Sequence, residues 1–275
     1  MSKYIVGFMI VAVVSILPEA FIAINAALEG TPAFGLGVLF GASVADLTLI
    51  FFIVILVSGR SIKIESGILK NNKLYPVLLS LPIILGLDGN YSRLEGLALI
   101  AAGVIFYYMS FRNSDVGTLI KGEDINKLKS SAMLLFSMAI LLVGANFAVT
   151  SATSLAEHLG VNPILIGMLV VALGTTMPEL LFSLKSVKKN DDSLAVGDIL
   201  GTVLADMTIV IGILAIISPF SFPQKIIYSA GMFMVIASII LFRFMNSGKS
   251  ISKREGYLLL FFWIIFALVE FILNT

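Results

Sequence analysis

The sequence predicts an all-α protein that crosses a membrane about nine times, folded as two inverted repeats with the N-terminus in the cytoplasm. Three observations predict this: long uncharged apolar runs, a one-sided distribution of Lys and Arg, and a self-alignment at a constant spacing. The 275-residue chain is 59% hydrophobic and only 13% charged, with a mean hydropathy of +1.05. A soluble domain of this length cannot hide that much apolar side chain, because much of its surface must face water. The runs around 131–143, 203–217, 226–242 and 257–269 approach or reach the ~20 residues that carry a helix across hydrocarbon. Alternating ten-residue strands, the mark of a membrane β-barrel, are absent from the sequence. The first apolar run contains Pro18 and Glu19 and no small-residue cleavage site, so it is expected to remain as a helix.

Helices are expected near 4–28, 34–58, 74–88, 94–111, 130–155, 162–185, 193–217, 224–244 and 255–273. The third is expected to be short and broken by Pro76 and Pro82. Nine spans sort the loops onto two sides. All of the 18 basic residues except Arg93 and Lys225 then fall on one side, including Lys70, Lys73 and Lys121. The positive-inside rule places that side, and the N-terminus with it, in the cytoplasm of a multi-pass cell-membrane protein. A net charge of +1 gives no electrostatic footprint for nucleic acid, and the absence of Cys excludes disulfides and thiolate metal sites.

The chain aligns with itself. Pro18-Glu19 falls on Pro178-Glu179, Gly37 and Gly41 on Gly197 and Gly201, and Ala45-Asp46 on Ala205-Asp206. Thr48 meets Thr208 and Ser58 meets Ser218; further on, Ser92, Glu95 and Gly96 meet Ser252, Glu255 and Gly256. Matching helices stand five apart, an odd number, so the copies cross the membrane in opposite directions, a recurrent plan of transporters. The expected division is 1–112 for a first repeat of four helices, 113–129 for a charged cytoplasmic linker, and 130–275 for a second repeat of five.

Acidic and hydroxyl residues repeat at helical spacing. Thr175, Glu179 and Ser183 lie at i, i+4, i+8 with Thr176 beside them, and Asp198, Thr202 and Asp206 repeat that pattern. The first copy offers Ser15 with Glu19 and Ser43 with Asp46. Oxygen ligands alone, with the single His158 expected in a loop, suit hard cations such as Ca²⁺ or Na⁺. A carboxylate at bilayer depth costs about 2.5–3.5 kcal/mol, so its default reading is functional. The competing reading makes these acids structural, with Asp46 and Asp206 tying helices together by hydrogen bonds and Asp198 capping a helix start. Pro18 and Pro178 are expected to kink their helices, and the Gly-x-x-x-Gly pairs to allow close packing. Asn146 and Thr150 are expected to bond between helices, and 188–192 to form a solvated turn. An intramembrane aspartyl protease is disfavoured, because neither Asp46 nor Asp206 lies in a Gly-x-Gly-Asp run.

ALGTTMPELLFS at 172–183, VGDILGTVLAD at 196–206, the approach from VGANF to VVALG, LDGNYSRLEG and the Tyr pair at 107–108 together resemble the cation/calcium exchanger superfamily, especially its prokaryotic sodium/calcium exchangers. The resemblance covers most of the chain and implies an antiporter with a pseudo-symmetric acidic site. Position by position it implies cation ligands at Thr175, Thr176 and Glu179, with Ser183, Asp198 and the first-copy Glu19. The first copy diverges: VVSILPE stands where Gly-Thr-Ser is the pattern, Val38 replaces the mate of Asp198, and Ala42 and Thr202 replace Ser. The family's ten helices are one short here, so gating is expected to be asymmetric or completed by a second copy as a homodimer. The implied activity is exchange of Ca²⁺ or a related cation for Na⁺ with no resident cofactor. The alternatives are H⁺ as counter-ion, since neighbouring carboxylates share protons, and an ion channel or non-exchanging ion-binding paralogue.

Overall fold

The computed structural model describes residues 3–64, 74–112 and 127–274, with backbone alone at 127–135, 138, 139, 141, 142 and 145. Residues 113–126 of the expected linker, and Lys70, Lys73 and Lys121, lie outside the described residues. Among those described, helical rods run in the order α1 Lys3–Leu28, α2 Pro32–Ser58, α3 Leu74–Asp88, α4 Arg93–Arg112, α5 Lys127–Leu159, α6 Pro163–Lys188, α7 Asp192–Ile217, α8 Gln224–Gly248 and α9 Lys253–Asn274. All but α3 and α5 form a set of seven that are long and apolar enough to cross a membrane. Two-residue strands tie the ends: β1 (Ile62–Lys63) pairs antiparallel with β4 (Ser250–Ile251), and β2 (Asn90–Tyr91) with β3 (Phe220–Ser221).

The self-alignment reappears as geometry. In α1, residues 6–11 pack on 192–205 of α7; in the mirror arrangement, 167–171 of α6 pack on 32–45 of α2. Each repeat therefore lays its first helix on the second helix of the other copy. Glycines make the close approach. A Cβ on Gly41 would strike the Met168 carbonyl, and one on Gly201 the equivalent Phe8 carbonyl. Gly37 meets Ile164 and Gly197 meets Tyr4 in the same relation, so the Gly-x-x-x-Gly pairs serve packing as expected. The outer helices follow suit, α4 lying on 211–217 and α9 on 51–58. The result buries α2 and α7 most deeply of the seven spans.

Local chemistry is duplicated too. Ser92 and Glu95 form a reciprocal capping box (2.7 and 3.3 Å) at the start of α4, and Ser252 and Glu255 form its twin (2.7 and 3.4 Å) at α9. Wide π-helical turns begin at Asp46 and Asp206, each braced by a threonine one turn back: Thr48 donates to the Val44 carbonyl (2.5 Å) and Thr208 to that of Leu204 (2.6 Å).

Three expectations are corrected. Helix Leu74–Leu85 runs on through Pro82, with Pro76 in its first turn, where a missing N–H costs no internal bond. His158 sits in the last turn of α5, not in a loop, with Nδ1 at 2.8 Å from the Ser154 carbonyl. The 188–192 run does turn, with Lys188, Lys189 and Asn190 exposed as expected, but its acids are not solvated. Asp192 is buried and receives Arg60 through both guanidinium nitrogens (2.6 and 2.7 Å) and the Lys63 amide (2.8 Å). Arg60 also reaches Asn190, and Lys3 pairs with Asp191. This knot joins the first copy to the second at the basic end, the end that carries Lys3, Arg60 and Lys63. The bidentate Asp192 carboxylate holds the Arg60 guanidinium above its already high ordinary value.

Replacing Gly41 or Gly201 by Val pushes a side chain into a helix backbone. Each variant is expected to lose about 1–3 kcal/mol, read as a lower midpoint of thermal unfolding in detergent; an unchanged midpoint would show that the helices part without cost.

Candidate membrane-embedded cation site

The kink prolines shape the centre. α1 is interrupted at Ile16 and α6 at Thr176, each with ψ near zero (−8 and 1), and a proline opens the next helical stretch. Glu19 and Glu179 follow immediately in the first turn of that stretch, where the helix dipole favours negative charge. From α2 and α7, Asp46 and Asp206 enter at the two π-turns, a place where helices commonly carry function.

These side chains are brought together. Glu19, Ser43, Asp46, Thr176, Glu179, Ser183, Asp198, Thr202 and Asp206 are fully buried, and Ser15 and Thr175 nearly so. Glu19 lies within electrostatic range of Asp198, Asp46 with Glu19 and Asp198, Glu179 with Glu19, Asp46 and Asp198, and Asp206 with Glu19 and Asp46. Ser15 Oγ donates to Asp198 Oδ1 at 2.9 Å, a bond between the two copies. Thr175 and Thr176 donate backwards to the Ala172 and Leu173 carbonyls (2.9 and 3.2 Å), which leaves their oxygens free to accept. Thr175 is also the polar neighbour of Glu19. Beside it, a cavity of about 370 Å³ runs between Pro18, Pro178 and Gly144 of α5.

Both carboxylate oxygens of Glu19, Asp46, Glu179 and Asp206 lack a hydrogen-bond partner, as do Asp198 Oδ2, Ser43 Oγ, Ser183 Oγ and Thr202 Oγ1. Among the described residues, Glu270 Oε1 completes this set. Hydrogen bonding therefore does not account for Asp46 and Asp206. Nor is Asp198 a solvated cap, for it lies inside α7 and is fully buried. Leaving these five carboxylates charged and uncompensated would cost on the order of 12–18 kcal/mol, as much as a domain's whole stability. Positive charge has to meet them. Among the described residues no three acidic or histidine side chains close on one point, so a cation held here draws on hydroxyl and carbonyl oxygens as well.

Asn146 Nδ2 bonds Glu29 Oε1 at 2.8 Å, tying α5 to the end of α1 as expected, whereas Thr150 bonds within its own helix. Two supports were not anticipated. Tyr75 donates to the Leu200 carbonyl (2.7 Å), while Tyr107, from the noted Tyr pair, donates to that of Gly201 (2.6 Å), so both steady α7 between Asp198 and Asp206. Glu270 is buried in α9 with Asn274 Nδ2 at 3.1 Å, and no repeat mate announces it, since Ser110 occupies the matching place.

Comparison with known proteins decides the kinship. The family model described as "Sodium/calcium exchanger protein" matches residues 1–112 and 129–272. The chain belongs to the sodium/calcium exchanger family. Family membership and the long apolar helices make it a multi-pass membrane protein, and the family is one of transporters of metal cations, not enzymes. An uncharacterized membrane protein of Methanocaldococcus jannaschii is 27% identical over 272 residues, covering 96% of this chain and 85% of that protein. The sodium/calcium exchanger MaX1 of Methanosarcina acetivorans is 29% identical over 138 residues, 50% of this chain and 39% of MaX1. A solved structure of the sodium-calcium exchanger NCX_Mj, soaked with Na⁺ and Sr²⁺, superimposes with a TM-score of 0.74 at 23% identity, over 96% of this chain and 86% of that one, and so shares its fold.

A cation that meets the unpaired acids stabilises the folded protein by mass action, about 2.7 kcal/mol at a hundred times its dissociation constant. Ca²⁺ is therefore expected to raise the unfolding midpoint of the purified protein, and Asp46→Asn or Asp206→Asn to remove at least half of that rise. An equal rise in the variants would exclude these two acids from the site.

Proposed function

We propose that this exchanger-family chain is a cation antiporter, moving Ca²⁺ or a related cation in exchange for Na⁺ by alternating access. The observation that carries the reading is the buried set of unpaired carboxylates and hydroxyls contributed by both repeats. Oxygen-only ligands of this kind match hard cations. In this reading Glu19 and Glu179 face the shared ion, Asp46, Asp206 and Asp198 supply further charge, and Ser15, Ser43, Thr175, Thr176, Ser183 and Thr202 supply neutral oxygens. The repeats are taken as 1–112 and 130–275 around the 113–129 linker, with the N-terminus in the cytoplasm, as the one-sided Lys and Arg distribution supports. A homodimer is the assembly proposed, with the exposed apolar face of α5 (Phe136, Ile140, Val143 and Phe147) as its contact in place of lipid.

The excess of unpaired carboxylates favours one second reading, with H⁺ as the counter-ion. Flux into proteoliposomes separates them. Ca²⁺ uptake is expected to follow an outward Na⁺ gradient; uptake that ignores Na⁺ and follows pH would replace Na⁺ by H⁺, and uptake without any counterflow would indicate a channel. Glu179→Gln is expected to abolish exchange and Glu19→Gln to abolish it or reduce it at least about a hundredfold, on the order of 2.7 kcal/mol of lost ion stabilisation. Wild-type rates in both would make these acids structural.

A further inference from the structure

The basic end carries a cavity that the cation site does not use. About 500 Å³ of space lies between Lys3 of α1, Lys63 of β1, Lys249 beside β4, and Asp191, Asp192 and Ser193 at the start of α7. Its charges do not balance. Asp192 is taken up by Arg60 and the Lys63 amide, and Asp191 by Lys3. Lys63 and Lys249 have no anionic partner among the described residues. The strand pair nevertheless fixes them as neighbours: Lys63 lies opposite Ser250, and the Ile64 amide donates to the Lys249 carbonyl at 2.8 Å. Like charges held this way repel each other unless an anion joins them. Ser193 lines the same space. It is 5% exposed, and its hydroxyl has no hydrogen-bond partner among the described residues. It is the second residue of α7, whose N-terminal amides and dipole favour negative charge.

The repeat shows that the scaffold does not demand this chemistry. The mates at the other end are Gly89 for Lys249, Ala33 for Ser193 and Pro32 for Asp192. Gly89 and Lys249 share a left-handed backbone (φ 80 and 49), which glycine adopts freely and lysine does not. The turn alone would favour glycine at both ends, so the lysine is explained by what it faces.

We infer that this cavity is a binding site for a phosphate group, held by the ammonium groups of Lys63 and Lys249, the Ser193 hydroxyl and the first amides of α7. A phosphate group offers several acceptor oxygens to donors that arrive from different sides, and it supplies the charge that the two ammonium groups lack. The acids in the wall do not bar it, because Arg60 and Lys3 already neutralise them. Lys63 belongs to the first copy, and Lys249 and Ser193 to the second. The ligand therefore adds a tie between the copies beside that of Arg60 and Asp192. The phosphate arrives either on a lipid headgroup, as in other basic pockets between spans, or as a free anion. The inference is independent of the antiport reading.

Binding is read as a rise in the unfolding midpoint of the purified full-length protein in neutral detergent micelles. Inorganic phosphate is titrated in one arm, and in the other the micelles are doped with phosphatidic acid; chloride at matched ionic strength is the control. A rise with inorganic phosphate identifies a free-anion site, and a rise with phosphatidic acid alone a headgroup site; either supports the inference. Lys63→Gln combined with Lys249→Gln is expected to weaken binding at least about tenfold, 1.4 kcal/mol, and Ser193→Ala at least about threefold. Lys188→Gln combined with Lys189→Gln removes the same charge from the same end outside the cavity, and is expected to leave affinity within about twofold. All four lysines are exposed, so both double variants are expected to unfold at the wild-type midpoint without ligand. Two results would overturn the site: no rise with either probe, or a loss in the Lys63 and Lys249 variant no larger than in the Lys188 and Lys189 variant. The latter would assign binding to diffuse surface charge.

Discussion

Negative charge without hydrogen-bond partners, enclosed where the bilayer excludes water, is the constraint on which the rest of this structure depends. Water cannot solvate Glu19, Asp46, Glu179, Asp198 and Asp206, which are fully buried, and protein groups leave most of their oxygens unpaired. Such a set persists only if cations or protons meet it. The fold is arranged to keep that demand in place. Small residues draw α1 onto α7 and α6 onto α2, the prolines turn both glutamates inward past a kink, and tyrosine hydroxyls occupy α7 carbonyls that could otherwise compete as ligands.

Duplication explains why the parts fit. A helix pair that alone would expose its acidic face to lipid can bury it against an inverted copy of itself, and the glycine contacts match position for position across the two interfaces. The symmetry is one of scaffold more than of chemistry. Backbone devices recur in both copies: capping boxes, π-turns, kinks and glycines. The side chains around them have diverged: Ser15 of one copy donates to Asp198 of the other, whereas Val38 stands at the position that matches Asp198. A transporter needs both halves to fold alike and to rock about a common centre, but nothing requires its two doorways to be lined alike.

Much of this was legible in the sequence because membrane constraints act locally. A helix must be long and apolar, basic residues gather on one side, and an acid in such a run stands out, so the spans and the Glu, Asp and hydroxyl positions could be read in advance. What escaped depends on partners distant in sequence. Asp192 reads as a solvated turn residue until Arg60, far along the chain, is seen to grip it. Glu270 sits outside the repeated motif, and Tyr75 acts through a carbonyl of another helix. The two prolines of α3 suggested a break because local rules count a lost donor, whereas one lies in the first turn and the helix absorbs the other.

The most direct measurement is a crystal structure of the protein grown with Mn²⁺ and examined at the manganese absorption edge. The account predicts an anomalous peak between the Glu19 and Glu179 carboxylates, within coordination distance of oxygens from both repeats. A well-ordered structure without a peak there, or with both glutamates engaged by protein donors, would contradict it.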